Sequence, residues 1–207
     1  EGEMLGMAFF KSLVKHHGKT YFEPVGKLLA AEGIREPNLL NPAHVMKLLP
    51  VAWPYLKWNV ARRLMGSAAP KIPDMPRELR GHAVYACEQL QAMALEISGT
   101  MQKFQLSLAD RQCRMAELSG RCQDLITILA TSMYAGREQA TPDPGDELIR
   151  QAADLLCQKL RDKLTCKRPS NAYFKQVTSL GAEIAKGGFP GTEEIDPGEI
   201  MMKYDRA

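Results

Sequence analysis

The sequence has no cysteine pattern of the kind that holds a disulfide framework or a structural zinc ion. Its five cysteines form an odd set without a C-x-x-C pair, and each falls in a segment with helical periodicity. Disulfide frameworks and zinc sites need paired or closely spaced thiols. We therefore expect reduced, buried thiols in a reducing intracellular compartment. The cysteines are Cys87, Cys113, Cys122, Cys157 and Cys166.

Long apolar runs are also missing. No segment approaches the roughly 20 apolar residues that a membrane-spanning helix requires, and Pro50 and Pro54 interrupt the best candidate. Residues 1–4 lack the basic and apolar regions of a signal peptide, and position 1 is not Met. We expect neither a spanning helix nor a signal peptide, and we interpret the chain as the tail of a longer polypeptide.

Charge of one sign is not in excess over the whole chain. The 27 Lys and Arg residues nearly balance 24 Asp and Glu residues, which leaves a formal charge of +3. A balance this close gives no strong general attraction to nucleic acid, so we predict no nucleic-acid partner. The local balance differs, because no acidic residue lies between Glu36 and Asp74.

Residues 45–65, within this acid-free stretch, combine both tryptophans with basic and aliphatic side chains. If Pro54 opens a helix, Trp53, Leu56, Val60 and Leu64 fall on one stripe with cations toward its flanks. This pattern is typical of a membrane-surface helix, and an ordinary core helix fits it equally well. The residues expected to touch a membrane are Leu49, Trp53, Tyr55, Leu56, Lys57, Trp58, Arg62 and Arg63.

The rest of the chain has almost no strand-like alternation, so we predict an all-α fold. Gly18 predicts the end of a first helix, and Ser170 predicts the N-cap of the last one. The predicted order is short N-terminal helices that close one domain, a basic amphipathic connector, an antiparallel helical bundle and a mobile tail. These parts cover residues 1–36, 37–76, 77–187 and 188–207.

Residues with catalytic or ligating chemistry do not form a recognised motif. His16, His17 and His44 have no carboxylate or cysteine partner at metal-ligand spacing, so we interpret them as solvated and predict no metal site. Phosphate-binding glycine loops and nucleophile motifs are missing from the sequence as well. By itself the chain is not predicted to be catalytic.

Charged residues interrupt the apolar pattern of the predicted bundle. Arg114, Arg121 and Asp124 lie close to one face of a helix, within reach of Glu117. One interpretation is a polar contact with another subunit or domain. The favoured interpretation is an ion-pair network on a solvated face.

Four segments occur in an order known from one enzyme family. Residues 7–13 (MAFFKSL) precede the tryptophan-rich connector, residues 76–79 (PREL) lead into a helix with residues 83–90 (AVYACEQL), and residues 122–126 (CQDLI) follow in the next helix. In this order the chain resembles the C-terminal region of large acyl-CoA dehydrogenases of the very-long-chain type.

The resemblance implies several properties. The bundle would serve domain or homodimer packing, and residues 45–65 would dock the enzyme on a membrane, in bacterial cytoplasm or on the mitochondrial matrix side. FAD would be bound by upstream residues and by none in this chain. Glu1-Gly2 resembles the motif of the family's catalytic base, which takes the α-proton of an acyl thioester while the flavin accepts a hydride. Glu3 departs from that motif, which has a small residue at its position.

Two functions remain open at this point. The first is the C-terminal part of an FAD-dependent acyl-CoA dehydrogenase of fatty-acid β-oxidation, peripherally bound to a membrane. The second is a stand-alone helical module that binds a membrane or a partner protein and has no enzymatic activity.

Overall fold

The computed structural model describes residues 2–34, 41–64, 66, 70–104, 108, 110–137 and 144–190. These residues form seven α-helices and no β-strand, which confirms the predicted all-α fold. The helices are α1 (Gly2–Tyr21), α2 (Glu23–Ala31), α3 (Pro42–Leu64), α4 (Arg77–Phe104), α5 (Gln112–Ala135), α6 (Pro144–Leu164) and α7 (Asn171–Gly187).

The chain divides into two units, and α4 and α5 each contribute to both. Unit 1 comprises residues 1–70 and 88–123, and unit 2 comprises residues 71–87 and 124–207. The segment expected as a connector therefore supplies α3 to unit 1 and residues 71–76 to unit 2. Most of the predicted mobile tail, residues 191–207, lies outside the described residues.

Two helix ends show that packing and local sequence both determine where a helix begins or ends. Ser170 caps α7 as predicted, since its side chain accepts a hydrogen bond from the backbone N–H of Tyr173. Gly18 does not end α1, which continues to Tyr21. A Cβ at position 18 would lie 3.3 Å from the Cε of Met101. This glycine therefore serves a close helix contact instead of a cap.

Helix α3 differs most from expectation. It begins at Pro42, and Pro50 and Pro54 lie inside it, so Pro54 does not open the helix. Each proline removes one N–H donor and leaves the carbonyl four residues earlier without a helical partner. Both proline side chains are exposed, so water can reach the helix at these points. Packing of the opposite face holds the helix through positions where local sequence predicts a break.

Unit 2 has two small apolar clusters. In one, Ile128, Ala86 and Cys157 are completely buried and lie against partly buried aliphatic and aromatic side chains. Leu79 forms the other cluster with Ala135 and Ala153. The buried His82 links α4 to α6, because it donates to Asp154 Oδ1 at 2.9 Å and accepts from Arg161 Nη1 at 3.2 Å.

None of the five cysteines, all of which lie in the described residues, is in a disulfide, and their burial varies. Cys122 and Cys157 are buried, and burial raises the pKa of both thiols, which keeps them protonated. Cys113 and Cys166 are exposed, so the expectation of buried thiols was wrong for these two. Both lie near helix ends, where apolar periodicity in the sequence does not indicate whether a side chain is buried.

The cluster around Ile128 yields a stability prediction. Ile128→Ala should lower the free energy of unfolding by about 2–5 kcal/mol, since it removes buried atoms and leaves a cavity. The control is Ile126→Ala in the same helix, where the side chain is 38% exposed. The control should lose less than half as much, as measured by urea unfolding followed by circular dichroism. Equal losses from the two variants would contradict the assigned core.

Candidate functional site: the two faces of helix α3

Helix α3 carries apolar side chains on opposite faces, and one face is open to solvent. Met46 is 77% exposed, Trp53 58% and Leu64 81%, and the intervening turns expose Leu49, Leu56 and Val60. At 3.6 residues per turn these six positions fall within an arc of about 80°. We call them the outer stripe. Together they expose on the order of 600 Å² of apolar surface, which is large for a monomeric protein.

Cations border the outer stripe, and α3 contains no acidic residue. Lys57 lies on one side of the stripe and Arg63 on the other, and both are exposed. The two remaining cations of α3 are engaged within unit 1. Lys47 pairs with Glu32, and Arg62 Nη1 donates to Gln91 Oε1 at 3.0 Å.

The opposite face of α3 packs inside unit 1, where Leu48 and Tyr55 are buried. A chain of three hydrogen bonds begins on this face. Asn59 Nδ2 donates to Tyr55 Oη at 3.1 Å, Tyr55 Oη lies 3.0 Å from Ser98 Oγ, and Ser98 Oγ lies 3.1 Å from His17 Nε2. We call these four residues the polar chain. It connects α3 to α4 and then to α1.

Four aromatic rings surround the imidazole of His17 at the end of the polar chain, and with it they make a set of five rings. The imidazole centroid lies 4.8 Å from Tyr21, 5.1 Å from Trp58, 5.7 Å from Phe22 and 6.4 Å from Tyr55. The angles between ring planes are mostly those of edge-to-face contacts, the arrangement that aromatic quadrupoles favour. We call this set the ring cluster.

The environment of His17 favours its neutral form. Burial lowers the pKa of the imidazole below its ordinary value, and the neighbouring His16 lowers it further. The interpretation of His17 as a solvated residue was wrong. A signal for its burial was present, because Phe10, Val14, His17 and Tyr21 share one helical stripe on α1.

The predicted membrane residues divide between the two faces. Leu49, Trp53 and Leu56 belong to the outer stripe, and Lys57 and Arg63 border it. The other three predicted membrane residues contact the interior of unit 1. Tyr55 is buried, Trp58 joins the ring cluster and Arg62 bonds Gln91. Met46, Val60 and Leu64 are exposed members of the stripe that lie within residues 45–65 but were not among the eight residues expected to touch a membrane.

The predicted interface residues are engaged within their own units. Arg114 and Arg121 both bond the carboxylates of Glu96 and Glu117, at distances from 2.6 to 3.2 Å. Bonding to Glu96 raises the pKa of Arg121. Asp124 pairs with Lys163 at 2.8 Å in unit 2. Arg114 and Arg121 therefore form an ion-pair network with Glu96 and Glu117, and Asp124 forms a separate ion pair.

The described residues contain no group of His, Cys, Asp and Glu side chains arranged to hold a metal ion. A cleft of about 250 Å³ in unit 2 is lined by Asp74, Met75, Pro76, Gly136, Arg137 and Arg150. It is smaller than most pockets for cofactor-sized ligands, at roughly 300–1,000 Å³, so we assign it no cofactor. Glu1 lies outside the described residues.

Comparison of the chain with models of protein families, with curated proteins and with solved structures finds no match. The assignment of the candidate site therefore rests on the geometry of its residues.

The polar chain yields a second stability prediction. Tyr55→Phe keeps the ring and removes the hydroxyl that links Asn59 to Ser98, so unfolding should cost about 1–3 kcal/mol less. Tyr21→Phe is the matched control, because it also removes a hydroxyl from the ring cluster but leaves the polar chain intact. Urea unfolding measures both. A loss no larger for Tyr55→Phe than for the control would show that the polar chain contributes no stability.

Proposed function

We propose that unit 1 docks on an anionic membrane surface through the outer stripe of α3. The observation that carries this proposal is the exposure of Trp53 and five aliphatic or thioether side chains along one face. Lys57 and Arg63 border this face, where their stems can lie along lipid while their charges meet headgroup phosphates. A tryptophan among aliphatic side chains, bordered by cations, suits the membrane interface.

The dimensions of α3 favour a helix that lies in the plane of the membrane. Met46 and Leu64 are separated by 18 residues, or about 27 Å along the axis. While α3 is packed on unit 1, its opposite face lies in the interior of that unit, so lipid is then expected to contact one side only. None of the described helices has the length and apolar content for crossing a membrane.

The wider proposal assigns this docking unit to the C-terminal part of an FAD-dependent acyl-CoA dehydrogenase. Its support is the order of segments that resembles the very-long-chain type, together with the exposed stripe in the segment that would contact the membrane. We assign FAD to no residue of this chain. Peripheral docking would bring such an enzyme close to its hydrophobic acyl substrates.

A partner protein is the alternative occupant of the outer stripe. Exposed apolar residues at intervals of three and four also suit a hydrophobic groove that receives a helix. Stand-alone binding of this kind requires no upstream enzyme. The cations on both sides of the stripe favour the membrane, because an anionic surface accepts charge on both sides at once.

Removal of the exposed tryptophan provides the first test of docking. Trp53→Ala should weaken binding to vesicles of phosphatidylcholine and phosphatidylglycerol by about tenfold or more, since lipid burial of a large apolar side chain is lost. Co-sedimentation measures the bound fraction. Phe174→Ala is the control, because this ring in α7 is exposed to a similar degree and lies outside the stripe. Undiminished binding of Trp53→Ala would refute docking through this face.

Charge provides an independent test. The double variant Lys57→Gln with Arg63→Gln should lose most of the preference for anionic over neutral vesicles, because each cation near the surface contributes about 1 kcal/mol. The control, Lys11→Gln with Lys15→Gln, removes the same charge from exposed positions on α1. An equal loss in both variants would indicate general charge attraction instead of docking through the stripe.

The enzyme proposal needs the polypeptide encoded by the complete reading frame. If a flavin domain precedes this chain, that polypeptide should bind FAD and dehydrogenate long acyl-CoA. Glu1→Gln should then lower turnover by about 100-fold or more while FAD remains bound, as expected for loss of a general base. Full activity of the variant would remove Glu1 from the mechanism, and a frame without a flavin domain would leave the binding module.

A further inference from the structure

The polar chain has an orientation in which each of its hydroxyl hydrogens is used. Asn59 Nδ2 is a fixed donor at one end, and Tyr55 and Ser98 contribute one hydroxyl hydrogen each. If Tyr55 donates to Ser98 and Ser98 donates to His17 Nε2, all three bonds form with no hydroxyl hydrogen left over. This arrangement requires an unprotonated Nε2 at the far end.

A proton on Nε2 makes both ends of the polar chain donors. His17 then donates to Ser98 while Asn59 still donates to Tyr55, and the contact between the two hydroxyls uses only one of their two hydrogens. One hydroxyl hydrogen is left without an acceptor among these four residues. Tyr55 and Ser98 are both buried, so this mismatch is costly.

Within the described part of the chain, no carboxylate is among the groups that contact His17 or shift its pKa. On α1 its neighbours are His16 and Tyr21; the ring before α2 is Phe22; α3 presents Tyr55 and Trp58; and α4 presents the neutral Ser98. The interaction with His16 lowers the pKa of His17 and so disfavours a proton on its imidazole. Protonation therefore acts against the packing of α3 on α1 and α4.

We propose that the polar chain is a proton-operated latch, in which protonation of His17 releases the inner face of α3. Release exposes Leu48, Tyr55 and Trp58 in addition to the outer stripe. Resting on the proposed docking function, the latch makes membrane binding stronger at acidic pH. A membrane surface that contains anionic lipid and is exposed to acidic pH is the kind of partner that would operate the latch.

The direction of the pH effect follows from linkage. The folded-state pKa of His17 lies below the ordinary value of 6.5, so the unfolded or released state binds the proton more tightly. The stabilisation of the latched state is complete above pH 6.5 and is lost as the pH falls through the lowered pKa.

Fluorescence of Trp58 tests the latch without a membrane. The chain has two tryptophans, so Trp53→Phe leaves Trp58 as the sole emitter. As the pH falls from about 8 to about 5, its emission should move to longer wavelength, with a midpoint below the ordinary histidine pKa. His17→Gln in the same background should abolish the shift, and the control His16→Gln should retain it. No shift, or an equal shift in His17→Gln, would overturn the latch.

A second variant tests the latch independently, in case His17→Gln does not fold. Ser98→Ala removes the centre of the polar chain, so Trp58 should emit at longer wavelength already near neutral pH, with helix content by circular dichroism unchanged. The latch would also be overturned if Trp58 in Ser98→Ala emitted at short wavelength near neutral pH and shifted with pH as it does when Ser98 is present.

Vesicle binding separates the latch from the docking function. Binding of the wild-type chain to phosphatidylcholine and phosphatidylglycerol vesicles should rise about tenfold between neutral and acidic pH, because further apolar side chains reach lipid. His17→Gln should bind without this rise. A pH-dependent Trp58 shift without vesicle binding at any pH would refute docking and retain the latch. A rise in binding that persists in His17→Gln would refute the latch and retain docking.

Discussion

The burial of Tyr55 is the constraint on which the arrangement of unit 1 depends. Its hydroxyl is removed from water and must find partners in the protein, and it finds them in Asn59 and Ser98. Because Ser98 also bonds His17, one buried hydroxyl fixes the position of α3 on α4 and α1. The side chains that turn away from this contact are then necessarily exposed. The inner face thus determines which residues form the outer stripe.

The charges of α3 follow the same division. Arg62 and Lys47 find partners inside unit 1, whereas Lys57 and Arg63 border the stripe. None of the 23 residues of α3 is acidic, so no carboxylate of this helix neutralises the two cations beside the stripe. An acid-free helix with an apolar outer face is compatible with a negatively charged surface and disfavours contact with a positively charged one.

Sequence reasoning reached the helical fold and the outer stripe because both depend on periodicity, which is local. It placed Trp53, Leu56, Val60 and Leu64 on one stripe, and the structure exposes all four. It did not separate Trp58 and Tyr55 from the membrane residues, because both faces of α3 are apolar and either is compatible with burial. The choice between faces depends on Ser98 and His17, which lie in other helices. No pattern within α3 contains that information.

The two prolines of α3 also show the limit of local sequence rules. Pro50 and Pro54 predict a helix start or break from local rules, yet α3 continues through both. The cost of each lost backbone bond is limited, since the affected turns face solvent, while the inner face gains the packing of Leu48 and Tyr55 and the contacts of the ring cluster. A helix weakened on its outer side and held on its inner side depends on the inner contacts more than an ordinary helix does. That dependence makes the protonation state of one half-buried imidazole sufficient to control how firmly α3 is held.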